Sequence, residues 1–131
     1  MNWSETQMKA DVRIKRAYEP PASDDGARVL VDRIWPRGVT KEAAALMLWL
    51  KDIAPTTSLR KWFGHDPARW TEFQRRYHAE LNQNRAAVEQ LADLAKAGRV
   101  TLVYGAHDTM HNHALALADY IGGIKKSYGG E

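Results

Sequence analysis

His107, Asp108, His111 and His113 fall within seven residues, joining the side chain that exchanges protons near neutral pH to a carboxylate able to orient it. His111, with Asp108 beside it, is the expected proton donor or acceptor. Imidazole is also the commonest metal ligand, and His107 and His111 stand four apart, as two ligands on one helical face would. A regular helix turns ~100° per residue, however, which puts His113 ~200° away from His111. The cluster does not converge, and no metal site is expected. The plainer alternative has Asp108 capping a helix while His113 packs on a sheet. A second constellation is Asp32-Arg33-Ile34-Trp35-Pro36-Arg37-Gly38, where Arg33 and Arg37 could present guanidinium forks to a phosphate or carboxylate from a turn stiffened by proline. The competing reading pairs Asp32 with Arg33 or Arg37 and uses Trp35 as a lid on the core. A third is Leu59 to Pro67, in which Arg60, Lys61 and His65 surround Trp62 and Phe63. A cation beside an aromatic face suits a base or sugar, although a capping Asp66 and two core aromatics explain most of this stretch.

These residues need elements to hold them. Val100 to Tyr104 is apolar on both faces and ends at Gly105, the pattern of a strand covered on two sides. From Met110 the spacing becomes helical through Ala114, Leu117, Ala118 and Ile121, with Asp108 or Thr109 placed as cap. In such a strand, turn and helix, the loop at the carboxyl end of the strand is the usual ligand site, and free helix amides favour an anion. Val12 to Tyr18 reads as an edge strand and Arg28 to Ile34 as a more central one. With about nine loop residues between them, these two are expected to be antiparallel neighbours. If the Arg28 strand instead lies parallel beside Val100 to Tyr104, the Asp32 to Gly38 turn meets Gly105 to His111 and the two make one pocket.

Thr40 is expected to cap a helix from Lys41 to about Lys51, with Leu46, Trp49, Leu50 and Ile53 inward and Pro55 as its stop. A short helical turn capped by Thr57 or Ser58 ends at Gly64. Asp66-Pro67 starts a helix carrying Trp70, Phe73, Tyr77 and Leu81, and Asn84 starts another that Gly98 ends. The final helix is expected to end at Gly122-Gly123. The fold class is therefore α/β: a single small domain over 1–131, with a mixed three- or four-stranded sheet covered by about five helices, and 1–9 and 124–131 as loose tails.

The 131 residues, 44% hydrophobic and 27% charged, suit one globular domain. No cysteine is present, which removes disulfides, thiolate nucleophiles and cysteine zinc sites and fits a cytoplasmic setting. No apolar run approaches the ~20 residues of a membrane helix, so no membrane role is expected. A net charge of +3 is compatible with an anionic ligand but lacks the dense basic face of a committed nucleic-acid binder. The motifs GxxxxGK[ST], GxGxxG, GxSxG and HExxH are all missing, which withdraws the usual support for kinase, dinucleotide oxidoreductase, serine hydrolase and metalloprotease readings.

Taken together, VLVDRIWPRGVTKE, WLKDIAPTTSLRKWFGHDPARWTEFQRRY and VTLVYGAHDTMHNHALALADYI resemble the YeaO-like branch of the family called domain of unknown function 488, over roughly Val12 to Ile121. The resemblance implies a small α/β fold and a bacterial cytosolic setting, and it names no reaction. It carries across Asp32, Arg33, Trp35, Pro36, Arg37 and Gly38, then Lys61, Trp62, Phe63, His65 and Asp66, then Tyr104, Asp108, His111 and Asn112. His107 departs from the pattern, standing where relatives often have lysine or arginine. The expectation is a protein that binds or processes a small phosphate- or nucleotide-like anion. His111 and Asp108 would exchange protons, and Arg33, Arg37, Trp35, His65, Tyr104 and Asn112 would hold the ligand, with no cofactor. The alternative is a nucleic-acid-binding or regulatory module using Arg60, Lys61, Arg75 and Arg76. Oligomeric state is open.

Overall fold

The computed structural model describes residues 11–130, with side chains as far as Gly122. Four strands, β1 (Val12–Arg16), β2 (Ala27–Leu30), β3 (Leu48–Trp49) and β4 (Val100–Tyr104), form one sheet in the order β1-β4-β2-β3. Every pairing is parallel. The α/β class and single small domain agree with expectation, but the sheet is not mixed, and β1 and β2 are not antiparallel neighbours. The reason lies in β4. All five of its residues are buried, and a strand apolar on both faces gains most from the middle, where it bonds β1 on one side and β2 on the other. The more polar β1 keeps the edge.

The loop 17–26 must therefore cross from the end of β1 to the start of β2 without a helix. One buried acid fastens it. Asp25 accepts from the Ala22 amide at 3.0 Å, from Lys15 Nζ at 3.1 Å and from Arg28 Nη1 at 2.7 Å. Arg28 spends its Nε and Nη2 on the Ala44 carbonyl, and the Thr101 hydroxyl donates to the Asp25 carbonyl. These donors, led by the Ala22 amide, hold the Asp25 carboxyl at a pKa of about 2. Gly26, with φ of 68°, closes the loop against the Arg99 backbone.

Five helices follow the strands: α1 (Lys41–Ala44), α2 (Thr57–Phe63), α3 (Trp70–Asn82), α4 (Arg85–Ala97) and α5 (His113–Gly130). Thr40 does cap α1, accepting from Ala43 N, but Ala45 takes the left-handed conformation and ends the helix after one turn. The expected helix to Lys51 is thereby replaced: Leu48 and Trp49 pair with Val29 and Leu30, and Lys51–Ile53 is a 3-10 turn. Of the helically spaced Leu46, Trp49, Leu50 and Ile53, Leu50 and Ile53 are buried and Leu46 half-buried without a helix, while Trp49 is exposed. Thr56, one residue before the expected caps, starts α2, and Gly64 ends it at φ of 53°. Asp66 caps a 3-10 turn over Pro67–Arg69 that runs into α3. In α5 the chain passes through Gly122-Gly123 as far as Gly130; two glycines cost a helix about 1 kcal/mol each and do not by themselves end it. The tail from 124 is thus helical to Gly130, and residues 1–9 lie outside the described part.

Residues of α2 to α5 share the main core with one face of the sheet, through Val29, Leu102 and Tyr104 together with Phe63, Phe73, Leu91 and Leu117. The opposite face is covered by irregular chain, with Trp35, Val39 and Leu46 packed on Leu30 and Val103. Among the described residues no helix is long and apolar enough to cross a membrane.

Candidate functional site

Because β2 and β4 run parallel side by side, their carboxyl ends deliver the 32–38 turn and the 105–112 loop to the same edge. There the Gly105 amide donates to Asp32 Oδ2 at 2.9 Å. A Cβ at Gly105 would stand 3.0 Å from that oxygen, so the glycine is what permits this approach. Asp32 Oδ1 lies 3.1 Å from His113 Nε2, but the ring also meets the Val31 carbonyl at 3.0 Å. One N–H cannot serve both acceptors, and Oδ1 is left buried without a hydrogen bond.

The loop leading to α5 is built by Asp108. Its Oδ1 accepts from the amides of Met110 and His111 at 2.8 and 3.0 Å, and its Oδ2 meets His111 Nδ1 at 3.0 Å. These contacts, the Met110 amide first, lower the Asp108 pKa below the ordinary aspartate value. A carboxylate accepts only, so Nδ1 is the donor and His111 Nε2 is left as the ring's other atom, with no partner among the described residues. The imidazole stands edge-on to Trp70, centroids 5.6 Å apart at 84°. Asp108 thus caps the turn before α5 rather than the helix. The cap of α5 is Asn112, whose Oδ1 accepts from Leu115 N at 2.9 Å while its Nδ2 donates to the Asp108 carbonyl at 3.0 Å.

Between this loop, the 32–34 segment and the ends of α2 and α3 lies a cavity of about 240 Å³. Of the expected site residues, Arg33, His65, His111 and Asn112 line it, joined by Arg60, Asp32 and His113. Arg33 donates from Nη2 to the Ala54 and Pro55 carbonyls at 3.1 and 3.4 Å. His65 reaches the cavity because it follows Gly64 in a second left-handed residue, at φ of 57°. Arg37 is not among the lining residues, and neither is Trp35: the strand ends at Leu30, the chain turns, and Trp35 packs on the opposite face with its Nε1 donating to Val39 O. Arg37 stays exposed, and its carbonyl accepts from the Tyr18 hydroxyl. The two-arginine clamp is therefore not assembled. Tyr104 lies buried within β4, where burial raises its hydroxyl pKa and the hydroxyl meets Asn112. It supports the loop from below. His107 points away, 3.4 Å from Arg16 Nη2. Among the described residues no three His, Cys, Asp or Glu side chains gather closely enough to hold a metal ion.

The pairing of Asp32 with His113 was not foreseen, because only the parallel β2 and β4 register brings residues 81 apart in sequence together. Arg60 was expected to clamp a base or sugar with the Leu59 to Pro67 stretch, or to serve a nucleic-acid module, rather than to line this pocket. For the Asp32 contact a signal existed in the position of Asp32 just past a strand end.

A family model described as the inactive DUF488-N3 subclade matches residues 11–126. The chain belongs to this family. Curated DUF488 relatives include the uncharacterized protein YeaO of Escherichia coli K12, 45% identical over 111 residues, which cover 85% of this chain and 96% of YeaO. An uncharacterized protein of Mycobacterium tuberculosis H37Rv is 43% identical over 112 residues, 86% of this chain and 94% of the relative. No solved structure matches significantly. In this DUF488-N3 chain the three motif stretches noted in the sequence meet at the carboxyl edge of one parallel sheet.

Proposed function

We propose that this DUF488-N3 protein binds a small anion in the cavity at the carboxyl edge of β2 and β4, without covalent chemistry on it. The observation that carries the reading is that Arg60, His65 and His111 Nε2, polar groups with no hydrogen-bond partner among the described residues, line one cavity with Arg33. The switch end of a parallel sheet is where α/β folds hold ligands. Among the described residues no serine, threonine, lysine or cysteine side chain lines the cavity, which accords with the word inactive in the family's description. His111 would donate to the anion from Nε2 when protonated; the neutral ring, with Nδ1–H on Asp108, would accept only from an anion that keeps an O–H, such as hydrogen phosphate. The cytoplasm remains the proposed setting, as the lack of cysteine suggests.

The test is a thermal-shift screen against inorganic phosphate, sugar phosphates and organic acids, repeated on Arg60→Gln and His111→Ala. A ligand at ~100 times its Kd adds ~2.7 kcal/mol, worth several degrees in Tm. A shift that both variants lose supports the reading; no shift from any anion overturns it. The nucleic-acid alternative draws less support. Arg75 and Arg76 both bond Glu72, and Arg76 also lies 4.2 Å over Trp62. Cations committed in this way have fewer counterions to release.

A further inference from the structure

We propose that the ligand is a compact organic monoanion with an aliphatic or aromatic body, bound body-inward with its charge at the rim. This rests on the anion-binding reading above and narrows it. Size comes first: about 240 Å³ falls below the ~300–1,000 Å³ of pockets for drug-sized ligands, which favours a body smaller than a nucleotide. Polarity comes second. The buried part of the lining is Phe63, Phe73, Ala54 and Pro55 with one polar residue, Asn112, whereas Arg60 and His65 are exposed. The cavity is apolar at depth and cationic at its mouth.

The polar groups that do lie deep are spoken for. Asn112 is committed at both ends of its amide, the His113 N–H is on Val31 O, Arg33 Nη2 is on two carbonyls, and Arg33 Nε, though without a hydrogen-bond partner, is buried like Asp32 Oδ1. The deep charges are moreover of both signs, since Asp32 and Arg33 line the cavity together. Asp32 Oδ1, buried and short of a donor, would repel a second carboxylate placed beside it. An anion therefore gains at the rim, from Arg60, from His65 and from His111 in its protonated form, and finds no free donor at the floor. Ile34, 64% exposed at the mouth, offers apolar surface that the body of such a ligand would cover.

Isothermal titration of the full chain with benzoate, 3-methylbutanoate, acetate, inorganic phosphate and AMP tests this. Benzoate and 3-methylbutanoate are expected to bind at least tenfold tighter than acetate or phosphate. Ile34→Ser, at an exposed position that the core does not use, is expected to shrink that preference, and Arg60→Gln to weaken all the acids alike. If acetate or phosphate binds as well as benzoate, or AMP binds tighter, the apolar-body assignment is overturned while the anion site stands. If no anion of any size binds, both readings fall.

Discussion

A histidine with one nitrogen tied to a carboxylate presents its other nitrogen in a defined state, and the Asp108 to His111 contact does this at the cavity. Nitrogen-15 NMR of the neutral ring is expected to show Nδ1 protonated and Nε2 bare; the opposite tautomer would remove His111 as an acceptor. Asp25 makes a different kind of claim, on stability. Its folded pKa of about 2 lies below the ordinary 3.8, so its contribution is present above about pH 4 and is lost as pH falls toward 2. The size is on the order of 2 kcal/mol. Asp25→Asn is expected to flatten the dependence of urea unfolding on pH across that window. Asp25→Ala, which strands the 5%-exposed Arg28 guanidinium, is expected to cost about 3–5 kcal/mol at pH 7.

Among the elements, α5 depends on Asn112. Removing its side chain with Asn112→Ala takes away the cap on Leu115 N and the brace on Asp108 O, an expected loss of ~1–2 kcal/mol in urea unfolding. The loop 17–26 depends on Gly26: a Cβ there would sit 2.3 Å from the Arg99 carbonyl oxygen at a φ disfavoured for L side chains. Gly26→Ala is expected to cost more than ~2 kcal/mol by the same measurement. Legibility at this scale followed period and punctuation. α3 and α4 could be read because Trp70, Phe73, Tyr77 and Leu81, or Val88, Leu91 and Ala95, repeat at helical spacing between clear breakers. β3 could not, since two residues have no period and are strand only through Val29 and Leu30. The meeting of the 32–38 turn with the 105–112 loop was legible only on condition of parallel pairing, and which of Arg33 and Arg37 faced the cavity was decided by how the chain turns after Leu30.

For the molecule as a whole, the sheet order places the last strand in sequence between the first two. β1 and β2 make no ladder with each other; β2 has β3 beside it, but the one strand that pairs with β1 is β4. A chain emerging from the ribosome therefore has no neighbour for β1 until Val100 to Tyr104 appears. At ~5–20 residues per second, the 84 residues from Arg16 to Val100 take roughly 4–17 s to make. The helices α2, α3 and α4 are made within that interval, before the strand that completes their core, and the nascent protein is, until β4 docks, a client for whatever shields such apolar surfaces during synthesis.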